Sequence, residues 1–253
     1  MPTPRGVIAV VLAAGQGVRM KSDKAKVLHE LCGRPMLAFV LDAMRAAGVS
    51  EQIVVVGHGA DAVKSAFAGY PSVRWALQTE RKGTGHAVMM TEPELAGFEG
   101  DVVVVCGDNP LLLGETVAKV LATHRASGAA CTVVTADAPN PTGYGRIVRA
   151  ADGTVARIVE EKDASPDVKK IREINSGNYV FDARSLFEAL KHVTADNAQK
   201  EYLLTDVVAV LRRAGKKVMS HRAADPTEVL GVNTLDQLAE AEKILLRRRR
   251  QGD

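Results

Sequence analysis

Val7-Ile8-Ala9-Val10-Val11-Leu12-Ala13-Ala14-Gly15-Gln16-Gly17-Val18-Arg19-Met20 is the stretch on which the fold turns. Residues Val7–Leu12 are continuously apolar and rich in β-branched side chains, which predicts a buried first strand. The small residues and two glycines that follow let the backbone turn sharply and bring its N–H groups against a ligand. Arg19, with Lys24 and Lys26 further on, adds positive charge to the same loop. The composition suits a phosphate cradle. It is not a P-loop, because Gly-Lys-Ser/Thr is absent, nor a dinucleotide fingerprint, because Met20 stands where the third glycine belongs. A Gly-x-Gly after a strand is also the mark of an ordinary tight turn, so the loop takes its meaning from its neighbours.

Working outward, the first half alternates short β-branched runs with helical patterns. Strands are expected at Ile53–Gly57, Val73–Leu77, Val102–Cys106 and Cys131–Thr135, and helices at Pro35–Ala47, Asp61–Ala68, Gly85–Met90 and Glu115–Ser127. Pro35 near the start and Gly48 just past the end give the first helix the usual asymmetry. This half is α/β and doubly wound. The second half changes character. Arg146–Arg149 and Thr154–Glu160 flank Ala151-Asp152-Gly153, a hairpin signal. A further strand is expected at Glu173–Phe181, then helices near Arg184–His192 and Thr205–Arg213. Together they extend the sheet and add a lid over its carboxyl edge, where open α/β sheets bind ligands. A last helix begins after Asn233, with Thr234 as N-cap, and ends in Arg247–Arg250. That basic run reads as a solvated helix end suited to the negative end of the macrodipole rather than a nucleic-acid or membrane patch.

Bulk properties agree with a soluble globular chain. Over 253 residues, 46% are apolar and 25% charged, and 33 basic against 30 acidic side chains leave a formal charge of +3. Such a balance does not argue for a nucleic-acid binder. The apolar N-terminal run leads straight into the glycine loop and lacks a basic secretory region, so it is read as a strand rather than a signal peptide, and no stretch approaches the ~20 apolar residues needed to span a bilayer. Cys32, Cys106 and Cys131 are scattered and odd in number, which favours a reducing cytoplasm over a disulfide framework.

Several residues carry possible chemistry. Gln78 lies at a strand end, five residues before Gly83-Thr84-Gly85-His86-Ala87, a second glycine-rich turn entering a helix. Its carboxamide can donate and accept together, as reading a pyrimidine edge requires, although a surface polar residue is equally consistent. His86 reads as a hydrogen-bonded packing residue rather than a catalytic one. Val102–Cys106 ends in Gly107-Asp108-Asn109-Pro110, and a carboxylate there suits a divalent cation bound to phosphates, or simply a turn. Cys106 reads as a small buried filler rather than a nucleophile.

In this order, the Leu-Ala-Ala-Gly-x-Gly-x-Arg-Met loop with Lys26, Gln78, Gly-Thr-Gly-His-Ala and Gly107-Asp108 resembles the sugar-nucleotide pyrophosphorylases. Pro141-Thr142-Gly143-Tyr144-Gly145-Arg146, Ile158-Val159-Glu160-Glu161-Lys162-Asp163-Ala164, Ile174-Asn175-Ser176-Gly177 and Gly231-Val232-Asn233 narrow the resemblance. They look like the uridylyltransferase half of the bifunctional N-acetylglucosamine-1-phosphate uridylyltransferase/glucosamine-1-phosphate acetyltransferases, from Val7 to about Leu246. The resemblance implies a Rossmann-like, doubly wound mixed sheet of the nucleotide-diphospho-sugar transferase type with a β-rich sugar-binding lid. It implies a nucleotidyltransferase domain over 1–233, divided near 136 into nucleotide-binding and sugar-binding parts, and an arm helix over 234–253. The activity implied is Mg2+-dependent uridylyl transfer from UTP to N-acetylglucosamine 1-phosphate, giving UDP-N-acetylglucosamine and pyrophosphate. Leu12, Ala13, Ala14 and Gly15 would hold the nucleotide, Arg19 and Lys26 its phosphates, and Gln78 and Gly83 its uracil. Thr84, Cys106, Gly107, Gly143, Glu160, Asn175 and Tyr202 fall on the sugar side, and Asp108 and Asn233 would hold Mg2+. Val18 departs from the family's usual Thr, and Cys106 and Asn109 from commoner aromatic and aliphatic choices. They leave open a related enzyme using CTP, GTP or dTTP or another sugar phosphate, and, more distantly, a non-catalytic sugar-nucleotide-binding module. The hexapeptide repeats of the acetyltransferase's left-handed β-helix are absent, so that activity is not expected here, and the oligomeric state is left open.

Overall fold

A computed structural model describes residues 5–251. In chain order the elements are strand β1 (Val7–Ala13), the short strands β2 (Glu30–Leu31) and β3 (Arg34–Pro35), helix α1 (Met36–Ala46), β4 (Glu51–Val56), α2 (Ala60–Ala66), β5 (Val73–Leu77), α3 (Thr84–Met89), β6 (Asp101–Cys106), α4 (Gly114–Ser127) and β7 (Cys131–Asp137). There follow β8 (Arg146–Arg149), β9 (Val155–Val159), α5 (Pro166–Lys169), β10 (Glu173–Asp182), α6 (Ala183–Leu190), α7 (Leu204–Arg213), β11 (Val218–Arg222) and α8 (Leu235–Gln251).

The sheet runs β11-β7-β10-β6-β1-β4-β5, with β8 and β9 continuing from β10. Alternate residues of the central strands feed two cores. Ile8, Val10, Ile53, Val55, Val102 and Val104 pack with α3, α6 and α7 on one face. Ala9, Val11, Val54, Val56, Val103 and Val105 pack with α1 and α4 on the other. Burial on both faces is why these strands read as unbroken apolar runs. The doubly wound α/β architecture follows, and the sheet is continuous across residue 136. There is no left-handed β-helix among the described residues.

Local signals act as their chemistry requires. Pro35 stands at the N-cap position of α1, and at the other end Gly48 adopts φ +82°, so that its N–H reaches Arg45 O at 2.9 Å while Val49 N–H reaches Met44 O at 2.9 Å. This is a Schellman stop. Asp152-Gly153 turns the β8–β9 hairpin, with Gly153 at φ +80°. Thr234 caps α8 by accepting from Gln237 N–H at 3.2 Å. The basic end of α8 is not wholly solvated, since Arg248 donates to Leu111 O at 2.6 Å and pairs with Asp225 at 3.1 Å. Residues 252 and 253 of the expected arm lie outside the described residues, as do residues 1–4.

Three elements are not expected from the sequence: the short helix α5, β11 and the β2–β3 hairpin. β11 lies parallel to β7 at the sheet edge, and β2–β3 form a hairpin through Cys32 and Gly33, both at positive φ. α8 packs Ala241, Leu238 and Leu245 against this hairpin around Leu31 and Met36.

β10 is antiparallel to both β6 and β7, inserted between them. Its register slips between Asn175 and Tyr179, which pair with Thr135 and Val133, so a bulge carries Ser176-Gly177 toward the end of β6. Bulges of this kind re-aim side chains beside functional sites. Gly177 sits at φ +78°, and a Cβ there would lie 2.9 Å from Cys106 Sγ. Gly177→Ala is therefore expected to lower the unfolding free energy by about 1–2 kcal/mol through backbone strain. An unchanged denaturant midpoint would show that the bulge is not held by the glycine.

Candidate active site

The chain passes from β1 outward to β4 and β5, then returns to the other side of β1 as β6, which makes the β1/β6 carboxyl end the switch point of the sheet. Leu12 pairs with Cys106 across the two strands, and Gly107 N–H donates to Leu12 O at 2.9 Å. The glycine loop and Gly107-Asp108 therefore leave the sheet side by side. Gly107 serves this approach, because a Cβ there would lie 3.0 Å from Leu12 O. It packs under the site and lines neither cleft described below.

The first cleft, of about 790 Å3, is lined by Leu12, Ala13, Ala14, Gly15, Lys26, Gln78, Gly83, Thr84, Cys106 and Asp108, with Arg81 and Glu201. The second, of about 560 Å3, is lined by Gly143, Glu160 and Asn175 with Tyr144, Ser176 and Thr205. Leu12, Thr84 and Cys106 belong to both, so the two share a wall. The residues expected on the nucleotide side thus fall together in one cleft, and most of those expected on the sugar side in its neighbour.

At the mouth of the first cleft, charged groups converge. The Lys26 ammonium pairs with Asp108 Oδ2 and donates to Asn233 Oδ1 at 2.7 Å, and Arg19 donates to the same Asn233 oxygen at 2.7 Å. Asn233 is oriented by its own Nδ2, which donates to Gly231 O at 3.2 Å, and the segment is tied down by Val232 N–H on Asp108 O at 2.9 Å. No group of three or more His, Cys, Asp or Glu side chains among the described residues is placed to hold a metal ion. The fit is nonetheless good for a hard cation that keeps most of its shell for phosphate and water. Asp108 and Asn233 present two oxygens to one point, and an ammonium already stands between them as a stand-in cation.

Gln78 is buried, and its Nε2 donates to Gly83 O at 3.0 Å and lies 3.0 Å from His86 Nδ1. Gly83 has φ +104°, and a Cβ there would meet Tyr202 O at 2.5 Å, so only glycine fits. Thr84 Oγ1 accepts from Leu204 N–H at 3.0 Å and joins this turn to α7.

In the second cleft, Asn175 donates from Nδ2 to Tyr179 Oη at 2.7 Å and accepts from Gly177 N–H at 3.2 Å. Gly143, at φ +86°, donates to Glu161 Oε2 at 3.3 Å, and that oxygen also pairs with Arg146 at 2.7 Å. Arg146 is only 1% exposed and also donates to Tyr144 O, so a buried guanidinium underpins the Gly143 turn. Burial pushes the Glu160 carboxyl up, reinforced by the neighbouring Asp206, Asp163 and Glu201. The Cys106 thiol is pushed up to about 12 by burial, with the Asp108 charge adding to it, so it remains protonated. That fits a neutral filler rather than a thiolate nucleophile.

Besides Gly107, three further positions lie off the two clefts. Tyr202 lines a different hollow, with Met89, Phe187 and Lys191, while its backbone accepts from Gly85 N–H and donates to Lys82 O. Val18 is 72% exposed, and Asn109 is buried off both clefts, so of the three departures from the family only Cys106 lines them. Conversely, Arg81, Tyr144, Arg146, Ser176 and Thr205 were not singled out. The first four lie within motifs already quoted or between their members, and could have been found by proximity. Thr205 opens α7 with no distinguishing signal.

The sequence model of the MobA-like NTP transferase domain matches residues 9–214, which spans both clefts. The chain belongs to the MobA-like NTP transferase family. This transferase domain is 51% identical over 240 residues to the bifunctional protein GlmU of Pelotomaculum thermopropionicum, covering 95% of this chain and 52% of that protein. It is 50% identical over 240 residues to GlmU of Halalkalibacterium halodurans, covering 95% and 52%. With GlmU of Heliobacterium modesticaldum the identity is 51% over 243 residues, covering 96% and 53%. The transferase domain spans about half the length of the curated relatives it matches.

Glu160 is expected to protonate at a higher pH than an ordinary glutamate. Glu173 should do the reverse: burial pushes it up too, but hydrogen bonds from Arg149 and Thr135 outweigh this and hold it lower. The sign follows from the burial: as pH falls, the second cleft loses its negative acceptor before Glu173 protonates. Carboxyl carbon NMR titration, assigned by Glu160→Gln, checks this, and an order of midpoints with Glu160 below Glu173 would contradict it.

Proposed function

We propose that the chain transfers a uridylyl group from UTP to N-acetylglucosamine 1-phosphate, giving UDP-N-acetylglucosamine and pyrophosphate. The observation that carries this is the pair of clefts sharing Leu12, Thr84 and Cys106, with Lys26 and the Asp108–Asn233 oxygen pair at their mouth. One cleft carries groups suited to a nucleotide, its neighbour groups suited to a polar sugar, and their common wall is where a phosphate bond between the two would be made.

In this reading the N–H groups of Ala14-Gly15 and the cations Lys26 and Arg19 receive the triphosphate, and Gln78 and Gly83 face the uracil. Gly143, Glu160 and Asn175 bind the amino sugar, where a carboxylate and an amide pair with hydroxyl and N-acetyl groups. Asp108 and Asn233 are the residues that would hold Mg2+. When bound, the ion would neutralise phosphate charge. The attacking sugar-phosphate oxygen is already anionic near neutral pH, so no general base is needed, and the protonated Cys106 thiol has no proton to take. What remains for the side chains is alignment of the two substrates and electrostatic support of the phosphates. Cys32, Cys106 and Cys131 are all free thiols, which fits a reducing compartment, and we assign the reaction to the cytoplasm. No helix among the described residues is long and apolar enough to cross a membrane.

A pyrophosphate-release assay over a grid of nucleoside triphosphates and sugar 1-phosphates tests the reading. UTP with N-acetylglucosamine 1-phosphate should give the highest kcat/KM. Preference for another pair would overturn the substrate assignment, and tight UDP-sugar binding without turnover would make the chain a binding module. Asp108→Ala is expected to lose most turnover with the thermal unfolding midpoint retained, and near-normal activity in saturating Mg2+ would remove Asp108 from the metal role. Lys26→Ala should lower turnover roughly a hundredfold, as loss of an aligned charge donor does, while weakening UTP binding less. An unchanged rate would exclude Lys26 from phosphate stabilisation.

A further inference from the structure

The carboxamide of Gln78 is bonded on its inner side twice. Its Nε2 lies 3.0 Å from Gly83 O and 3.0 Å from His86 Nδ1. A carbonyl oxygen can only accept, so Gly83 identifies the bonded atom as the amide nitrogen. The second amide proton then points at His86 Nδ1, which must offer a lone pair and leave the ring proton on Nε2. Turning the carboxamide over would set its oxygen against the Gly83 carbonyl oxygen, which cannot donate. The polar atom of Gln78 left for a ligand in the first cleft is therefore its oxygen, an acceptor. His86 itself is half-buried at the start of α3, with its other side on the hollow that contains Lys82 and Phe187. The helix is held in place by Gly85 N–H on Tyr202 O at 2.8 Å.

We infer that His86 is a specificity-positioning residue: together with Gly83 O it holds the Gln78 oxygen toward the base, so that the cleft selects a pyrimidine whose pairing-edge ring nitrogen carries a proton. Uracil has a proton at that nitrogen, whereas cytosine offers a lone pair and would leave two acceptors facing each other, the kind of unpaired contact that discriminates strongly. The inference rests on the uridine reading of the first cleft.

The test is kcat/KM for UTP and for CTP at saturating sugar phosphate in the wild type, His86→Phe and His86→Asn. Phenylalanine keeps the planar bulk without an acceptor, and asparagine restores an acceptor near the position of Nδ1. His86→Phe should reduce the preference for UTP over CTP about tenfold, the scale of one buried hydrogen bond, with KM for the sugar phosphate unchanged. His86→Asn should recover most of the preference. An unchanged ratio, or an equal fall for both nucleotides, would overturn the inference by leaving His86 a packing residue. Should His86→Phe not fold, nitrogen NMR of the wild type decides the matter: a bare Nδ1 supports the lock, and a protonated Nδ1 overturns it. A wild type without preference for UTP fails differently, since it overturns the uridine reading itself and leaves the tautomer measurement to stand alone.

Discussion

The parallel pairing of β1 with β6 is the constraint from which the rest of the site follows. Its register sets Leu12 beside Cys106, so the loop leaving one strand and the Gly107-Asp108 turn leaving the other emerge at one place. That register is enforced by both cores at once. Val10 and Val104 point into one, Val11 and Val105 into the other, and a slip of one residue would exchange every side chain between faces. The burial that stabilises the sheet thereby also fixes the distance between the phosphate loop and the carboxylate.

The second cleft depends on a departure from parallel order. β10 enters between β6 and β7 in the opposite sense, so its first residues lie at the carboxyl edge where the other strands end. Just before the bulge, Ile174 pairs with Arg146 and Asn175 N–H donates to Gly145 O at 2.8 Å, which ties the β8–β9 hairpin and the Gly143 segment preceding it to that edge. Asn233 arrives by a third route. It lies just before α8, whose docking against the β2–β3 hairpin and whose Thr234 cap hold the segment over Asp108. Three elements of different origin thus surround one switch point.

How much of this was legible varies with the physics of each element. The strands β1, β4 and β6 carry unbroken apolar runs because they are buried on both faces, and β7 a β-branched run with two buried threonines, so their positions could be read to within about two residues. β11 could not, since as an edge strand it buries only Val218 fully and its remaining residues are polar or partly exposed. The β2–β3 hairpin has strands of two residues, too short to show any periodicity. Within the site, the glycine loop was ambiguous by itself. What connected it to Asp108 and Asn233 was the resemblance, because residues so far apart in sequence are joined only by tertiary packing. Tyr202 lies off the two clefts, and it is its backbone that the Gly83 turn meets, a contact made only by tertiary packing. For Gln78, the residue type suggested base reading, but which half of the carboxamide is free depends on Gly83 and His86.

The most direct test of the two-cleft account is a crystal structure of the chain with UDP-N-acetylglucosamine and Mg2+. The account predicts the uracil against Gln78 and Gly83, the amino sugar among Gly143, Glu160 and Asn175, and the diphosphate at the shared wall with the metal on Asp108 and Asn233. A sugar placed outside the second cleft, or a metal held without Asp108, would contradict it.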